Sequence, residues 1–163
     1  MAIGDAFRLR VAINGFGRIG RSFYRALLED HESDIEVVVI NSTSNPRTLA
    51  HLLKYDSTYG TLPLDVSWDS EGIACEGKKV PCLSEIDPAK IDWGGFKTDA
   101  VLESTGQPLQ REKLETFISK GGRTVLISSP SEEADVTLIP GCNLETYDPN
   151  HHKIISMASC TTN

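Results

Sequence analysis

The sequence contains no stretch that could cross a bilayer. Its longest aliphatic run is Val37-Val38-Val39-Ile40, far short of the roughly 20 apolar residues that a spanning helix needs. Met1 to Phe7 has neither the length nor the apolar block of a signal peptide. Cysteine is scarce: Cys75, Cys82, Cys142 and Cys160, with no C-x-x-C pair and gaps of 7, 60 and 18 residues. Those gaps match no zinc pattern, and so sparse a set excludes a disulfide scaffold. For the first three, free thiols in a reducing compartment are expected. Positive charge is short as well. Lys plus Arg number 16 against 23 Asp plus Glu, a net charge of −7, which argues against gripping nucleic-acid phosphates through a basic face. There is no internal repeat and no low-complexity segment. What remains, 163 residues with 39% hydrophobic and 24% charged side chains, is the composition of one soluble globular domain. Such a chain buries roughly 70% of its unfolded surface and needs neither metal nor disulfide to hold a core.

Apolar runs alternate with helical patterns, the signature of a parallel sheet covered by helices. Leu9 to Ile13 reads as a strand and Arg18 to Glu29 as a helix, with Ile19, Phe23, Ala26 and Leu27 on one apolar face. Ile35 to Ile40 is a near-continuous β-branched run, as in a strand buried on both faces. Asn45 and Pro46 open a second helix as N-cap and first helical residue, reaching about Tyr55. Between Leu62 and Leu83 the period changes to two around Asp69-Ser70-Glu71-Gly72, which reads as an antiparallel insertion. Asp87-Pro88 opens a helical turn. Ala100 to Leu102, Val125 to Ile127, Val136 to Ile139 and Ile154 to Met157 read as strands, and Leu109 to Ser119 as a helix closed by Gly121-Gly122.

Gly15-Phe16-Gly17-Arg18-Ile19-Gly20 is G-x-G-x-x-G. Alone the pattern is weak, and a strand-helix turn with no ligand would also use it. Directly after a strand and at the start of a helix it becomes a dinucleotide fingerprint. Gly15 allows the tight turn, Gly17 the approach of a diphosphate, and Gly20 close helix–strand packing. Free amides at the positive helix end then hold the phosphates. The fold class is α/β: a doubly wound, mostly parallel sheet of the Rossmann type with a short antiparallel insertion. The fingerprint also calls for an acid about 20 residues on, to bind the adenosine ribose. Here Asn41, Ser42 and Thr43 stand there instead, followed by Ser44. Without a carboxylate to repel a 2′-phosphate, and with two hydroxyls and nearby Arg47, NADP is expected to be accepted or preferred. The alternative is that Ser42 binds the NAD ribose through one hydrogen bond.

Asn14 to Arg21 (N-G-F-G-R-I-G-R), His51 to Ser57 (H-L-L-K-Y-D-S), Glu103 to Gly106 (E-S-T-G) and Ala158 to Asn163 (A-S-C-T-T-N) together resemble the phosphorylating glyceraldehyde-3-phosphate dehydrogenases. The likeness covers nearly the whole chain. Asn41 to Leu53 is similar to the plastid and cyanobacterial branch, where NADP is common. The resemblance implies that residues 1–163 are the dinucleotide-binding domain, ending at the active-site signature, with the catalytic domain of a protein about twice as long absent. It places Gly15, Phe16, Gly17, Arg18, Ile19 and Gly20 in the coenzyme phosphate loop, and Ser104, Thr105 and Gly106 at its ribose and phosphates. Ser128 matches the nicotinamide side, Cys160 the nucleophile, and Ser159 and Thr161 substrate contacts. Four positions depart from the family: Ser42 for the ribose acid, Ile86 for an Arg beside the adenosine, Pro108 for a Phe, and Met157 for an Asn.

On spacing alone, Cys160 reads either as a buried thiol or as a nucleophile at a strand-to-helix turn, where the helix dipole favours thiolate. The resemblance favours the nucleophile. It implies thiolate attack on a sugar-phosphate aldehyde, hydride transfer to NAD or NADP, and cleavage of the resulting thioester by inorganic phosphate to an acyl phosphate. Full-length members are homotetramers with the catalytic His in the absent half. His51, His151 and His152 do not take that place, and no metal is expected. The chain by itself is expected to have little dehydrogenase activity. A cytoplasmic protein is expected; a plastid address would require a transit peptide already removed. Two other readings stay open: a stand-alone nucleotide-binding or interaction module, and a related enzyme such as erythrose-4-phosphate dehydrogenase.

Overall fold

The computed structural model describes residues 8–30, 32–159, 161 and 162. Strand β1 (Leu9–Asn14) leads through Gly15–Gly17 into helix α1 (Arg18–Glu29), then β2 (Ile35–Asn41) and α2 (Pro46–Lys54). A hairpin, β3 (Tyr55–Asp56) and β4 (Gly60–Thr61), follows, then β5 (Val66–Trp68), β6 (Gly72–Cys75) and β7 (Lys78–Leu83). The second half runs β8 (Ala100–Glu103), α3 (Arg111–Ser119), β9 (Thr124–Ile127), β10 (Val136–Thr137) and β11 (Ile154–Ser156). Short 3-10 turns occupy Pro88–Lys90, Gly94–Phe96 and Leu144–Thr146.

Nine of the described strands form one large sheet in the order β10-β11-β9-β8-β1-β2-β7-β6-β5, parallel from β10 to β7 and antiparallel from β7 to β5, while β3 and β4 pair only with each other. The expected architecture is therefore present. The insertion is more than an appendage, because its last strand pairs in parallel with β2, Ile40 opposite Cys82 and Asn41 opposite Leu83. From β1 the chain builds outward through β2 to β7, then crosses to β8 on the other side of β1. That reversal is the topological switch point, and ligands of open α/β sheets bind beyond the strand carboxyl ends there.

Residues of low sequence polarity fill both sides of the sheet. Tyr24, Ile40, Leu49, Leu53 and Ile73 pack on the α1–α2 side, and Trp93, Val101, Leu114, Phe117 and Ile154 on the other. The α2 start follows expectation: Asn45 Oδ1 accepts from Thr48 N at 2.9 Å, with Pro46 at the first turn. Helix α1 follows it in part: Phe23 and Leu27 pack against the core, but the other two expected residues do not. Ile19 is 46% exposed and Ala26 is exposed, while Gly20, Tyr24 and Arg25 are buried. The cause is Gly20. A Cβ on it would lie 2.3 Å from Gly15 O, so the helix is rotated to place its one bare position against the loop. Arg25 is buried because its guanidinium donates to Leu53 O at 2.8 Å and Gly60 O at 3.2 Å. It thereby satisfies carbonyls at the end of α2 and in the hairpin.

Asp135 anchors the last strand. Its carboxylate accepts from Lys153 N at 2.7 Å and Ile154 N at 2.8 Å, and pairs with Arg111 of α3 at 2.7 Å. Burial acts to raise its pKa, but these bonds outweigh burial and hold it below the usual carboxylate range. A depressed folded value means stability that is present above the unfolded pKa of about 3.9 and lost as pH falls through the folded value. Asp135→Ala is expected to lower stability by about 2 kcal/mol at pH 7, the scale of hydrogen bonds to a charged group. Denaturant titrations should show the gap to wild type closing below about pH 4. A gap that is constant with pH would refute the assignment.

Candidate functional site: the crevice at the switch point

Beyond the carboxyl ends of β1, β2 and β8 lies a cavity of about 500 Å³, within the range usual for small-molecule sites. Gly15 forms its back. The residue has φ +96°, and its N–H donates to Asn41 O at 2.9 Å. A Cβ there would sit 2.5 Å from Thr105 N and 2.6 Å from Ser104 C. The loop after β1 and the loop after β8 thus touch backbone to backbone. Ser104 locks the contact, its Oγ donating to Gly15 O at 2.7 Å and its N–H to Asn14 O at 2.8 Å.

Two observations fit an anion at the start of α1. Gly17 is its N-cap with no side-chain cap and no acid in the first turn. A Cβ built on Gly17 meets no atom within 4 Å, so the space over the first-turn amides is open. Arg21 lines the same cavity, donates to Phe16 O at 3.1 Å, and has a buried Nε with no hydrogen-bond partner among the described residues. Burial lowers its pKa, the Asp56 carboxylate opposes that shift, and Arg18 adds to it. The sequence reading did not single Arg21 out. It stands four residues after Gly17 and so on the same helix face, which is the signal that could have found it.

The structure distributes the other expected residues as follows. Phe16 is buried, its ring 6.1 Å from that of Tyr24, so its side chain serves the core while its backbone borders the cavity. Arg18 and Ile19 are exposed on the first turn. Asn41 is buried under the floor and bonds Asn14 and the Glu85 backbone. Ser42, Thr43 and Ser44 form the far wall. Ser42 N–H donates to Leu83 O at 2.9 Å, and its Oγ accepts from Ser44 N at 3.4 Å. Arg47 does not join them, because its guanidinium lies over the Trp68 ring, 6.0 Å from the centroid, in a separate hollow. Thr105 is in the wall, and Gly106 follows it in a left-handed turn at φ +73°. Ser128 sits at the tip of β9, its N–H on Glu103 O at 3.0 Å, outside the cavity lining. Ile86 is 86% exposed on the cavity lip. Pro108 lines a smaller adjoining cavity of about 190 Å³.

Cys160 and Asn163 lie outside the described residues. Ala158 is buried with φ +60°, a left-handed conformation that costs a non-glycine residue about 1–2 kcal/mol. Ser159 Oγ then accepts from Thr161 N at 3.1 Å and bonds Thr161 Oγ1 at 2.7 Å. Strained backbone of this kind is characteristic of functional turns. Met157 is half-buried, with its N–H on Ile127 O at 2.9 Å. The other thiols, Cys75, Cys82 and Cys142, are free. Burial pushes Cys75 and Cys82 up to about 11, the opposite of activation. His51 is exposed beside the Tyr55 ring, and His151 pairs with Asp148 at 2.6 Å. Among the described residues no group of three or more His, Cys, Asp or Glu could hold a metal ion, and no helix is long and apolar enough to cross a membrane.

Comparison with known proteins points the same way. Residues 9–111 match the family described as glyceraldehyde 3-phosphate dehydrogenase, NAD binding domain. The chain is 48% identical over 155 residues to a glyceraldehyde-3-phosphate dehydrogenase of Streptomyces coelicolor, covering 95% of this chain and 46% of that protein. It is 46% identical over 156 residues to glyceraldehyde-3-phosphate dehydrogenase 2 of a Nostoc species, with the same coverage. For the Geobacillus stearothermophilus protein the identity is 44% over 155 residues. The chain spans a little under half the length of the curated relatives it matches. A glycine loop wedged against the β8 tip at the switch point, and likeness along almost its whole length, mean that the chain belongs to the glyceraldehyde-3-phosphate dehydrogenase family and carries that family's NAD-binding domain.

Proposed function

We propose that this crevice takes a nicotinamide dinucleotide with its diphosphate over the first turn of α1 and its adenosine ribose at Ser42, and that NADP is accepted as well as NAD. The observation that carries the reading is the open space at Gly17 above uncapped first-turn amides, inside a cavity of about 500 Å³ at the switch point. When bound, the coenzyme supplies a hydride acceptor. Everything else falls to the chain. The amides of residues 17–20 and the Arg21 guanidinium meet the anionic bridge. Ser42 Oγ and the residues after it meet the ribose, and no carboxylate stands at the β2 tip to repel a 2′-phosphate. Thr105 and Gly106 border the ribose–phosphate path.

In the whole protein the domain serves oxidation of a sugar-phosphate aldehyde to an acyl phosphate with inorganic phosphate. Cys160 is the thiol nucleophile of that reaction, and Ser159 and Thr161 are contacts on the substrate side. The left-handed turn at Ala158 and the Ser159–Thr161 bonds fix the positions of the Ser159 and Thr161 hydroxyls relative to each other. Neighbouring hydroxyls there are donors suited to a developing oxyanion. This reaction and a tetrameric assembly need residues beyond those of the chain, whereas the likeness to the plastid and cyanobacterial branch rests on Asn41 to Leu53.

Calorimetric titration of the chain with NAD and with NADP tests the coenzyme reading. Both are expected to bind, NADP at least as tightly. NAD binding more than about tenfold tighter, a difference of about 1.4 kcal/mol, would overturn the inference from Ser42.

A further inference from the structure

Beneath the crevice a line of side-chain hydrogen bonds crosses three strand tips, and its polarity is set at one end by backbone. Glu85 N–H donates to Asn41 Oδ1 at 2.9 Å, and Glu85 O accepts from Asn41 Nδ2 at 2.8 Å. That orients the Asn41 amide, whose Nδ2 also donates to Asn14 Oδ1 at 2.8 Å. Asn14 must then present its own Nδ2 onward, and it donates to Glu103 Oε2. From the other end, Thr105 N–H donates to Glu103 Oε1 at 2.8 Å, and the Thr105 hydroxyl donates to the same oxygen. Both Glu103 oxygens are acceptors, on a side chain that is 2% exposed and pairs with no cation among the described residues. Burial pushes this carboxyl above the usual range, against the opposing bonds from Thr105 and Asn14.

One member of the line can change its role, because a hydroxyl rotates while the amides cannot. While Glu103 is ionised, the Thr105 hydroxyl hydrogen points at Glu103 and its oxygen accepts from Gln107 N at 3.2 Å, so this hydroxyl offers a ligand no hydrogen. A proton on Glu103 Oε1 would donate to Thr105 Oγ1 instead and release the hydroxyl hydrogen to the crevice. Asn14 Nδ2 and Thr105 N–H keep their acceptors in both states.

We propose that Glu103 is a positioning residue for the coenzyme: as the anionic dinucleotide binds, Glu103 takes up one proton from solvent and Thr105 turns its hydroxyl from Glu103 to the ligand. This rests on the dinucleotide reading of the crevice. The proton comes from the buffer, and no other bond to hydrogen is made or lost. Negative charge above the floor and exclusion of water both favour the neutral acid. The other charged groups facing the cavities that Glu103 lines are Arg21 of α1, Lys113 of α3, Glu85 after β7, and Glu132 and Glu133 after β9. Lys113 is paired with Asp87 at 2.8 Å. The two cations favour ionised Glu103 in the free chain; the three acids and the arriving diphosphate oppose it.

The test is calorimetry of NAD binding to the 163-residue chain in two buffers of different ionisation heat, from about pH 5 to about pH 8. NAD is the probe because the 2′-phosphate of NADP titrates near pH 6 itself. The expected result is a buffer-dependent heat that approaches one proton taken up per NAD. Affinity should fall by up to about tenfold per pH unit where free Glu103 is ionised and bound Glu103 is neutral. In Glu103→Gln the uptake should vanish and affinity become flat with pH, whereas a merely structural role would change affinity and leave its pH slope. Cys160 is present in every chain compared, so the Glu103 contribution is read as the difference between chains. If Glu103→Gln does not fold, Thr105→Val must lower the uptake and Thr105→Ser must preserve it. NAD heats equal in both buffers, or an uptake unchanged in these variants, overturn the proposal and leave the dinucleotide reading standing. Absence of NAD binding overturns both.

Discussion

Gly15→Ala is expected to destabilise the chain by roughly 2–5 kcal/mol and to abolish measurable NAD binding. Two effects add. The residue sits at φ +96°, where a side chain costs about 1–2 kcal/mol. The new methyl also meets only backbone, Thr105 N at 2.5 Å, Ser104 C at 2.6 Å and Ser104 O at 2.8 Å. No rotamer relieves that clash. Ser104 cannot retreat without losing its N–H bond to Asn14 O at 2.8 Å and its Oγ bond to Gly15 O at 2.7 Å. Overpacking of this kind costs about 1–3 kcal/mol, and together the two should lower the melting temperature by roughly 10 °C. Gly17→Ala is the informative contrast. Its φ is −75° and its Cβ would lie in open space, so the melting temperature should hold. NAD affinity should still fall, because the methyl occupies the ground over the helix amides. Wild-type melting and wild-type binding in Gly15→Ala would sink the account of the loop, and unchanged NAD affinity in Gly17→Ala would sink the placement of the diphosphate.

Ser42→Asp is expected to weaken NADP binding by about ten- to a thousandfold while NAD binding is retained. A carboxylate about 4 Å from a 2′-phosphate is repelled by roughly 1 kcal/mol per charge pair in water and about 4 at an effective dielectric of 20. The substitution should not disturb the fold. Ser42 N–H stays on Leu83 O, and the new carboxylate can accept from Ser44 N as Ser42 Oγ does now at 3.4 Å. Arg47 cannot offset the repulsion from its seat over Trp68. Two carboxylates, Glu85 and Glu103, already border the cavity, but they are the same in both chains and do not enter the comparison. The ratio of NAD to NADP dissociation constants, measured in both chains at one salt concentration, checks this. An unchanged ratio would mean that the adenosine ribose lies elsewhere.

The strand and helix positions were open to reading from residue type because they rest on local rules. The run Val37-Val38-Val39-Ile40 could only be a strand buried on both faces, and Asn45-Pro46 marks a helix start whatever surrounds it. The buried face of α1 was not open in this way. Periodicity counts apolar side chains, and it pointed to Ile19, Phe23, Ala26 and Leu27. Phe23 and Leu27 do pack against the core, but Ile19 and Ala26 face outward and the helix turns Gly20, Tyr24 and Arg25 fully inward. Glycine carries no hydrophobic signal, and a buried arginine carries the opposite one. Both are inside because of partners far along the chain, Gly15 O for the first and Leu53 O and Gly60 O for the second. Similarly, Lys78–Leu83 read as part of an insertion, and only its register against β2 makes it a strand of the main sheet.

By itself the sequence determined the α/β class, the place of the phosphate loop, the missing acid at the β2 tip and the family, because each of these is written within a few adjacent residues. Tertiary structure alone decided what surrounds them. It set the β8 loop against Gly15 across some 90 positions, moved Arg47 out of the crevice, brought Arg21 into it, and joined Glu103 to Asn14 and Thr105 beneath it. Those contacts arise where strands distant in sequence end side by side, and their energies depend on burial and on which donor faces which acceptor. Neither property belongs to a residue until the sheet exists.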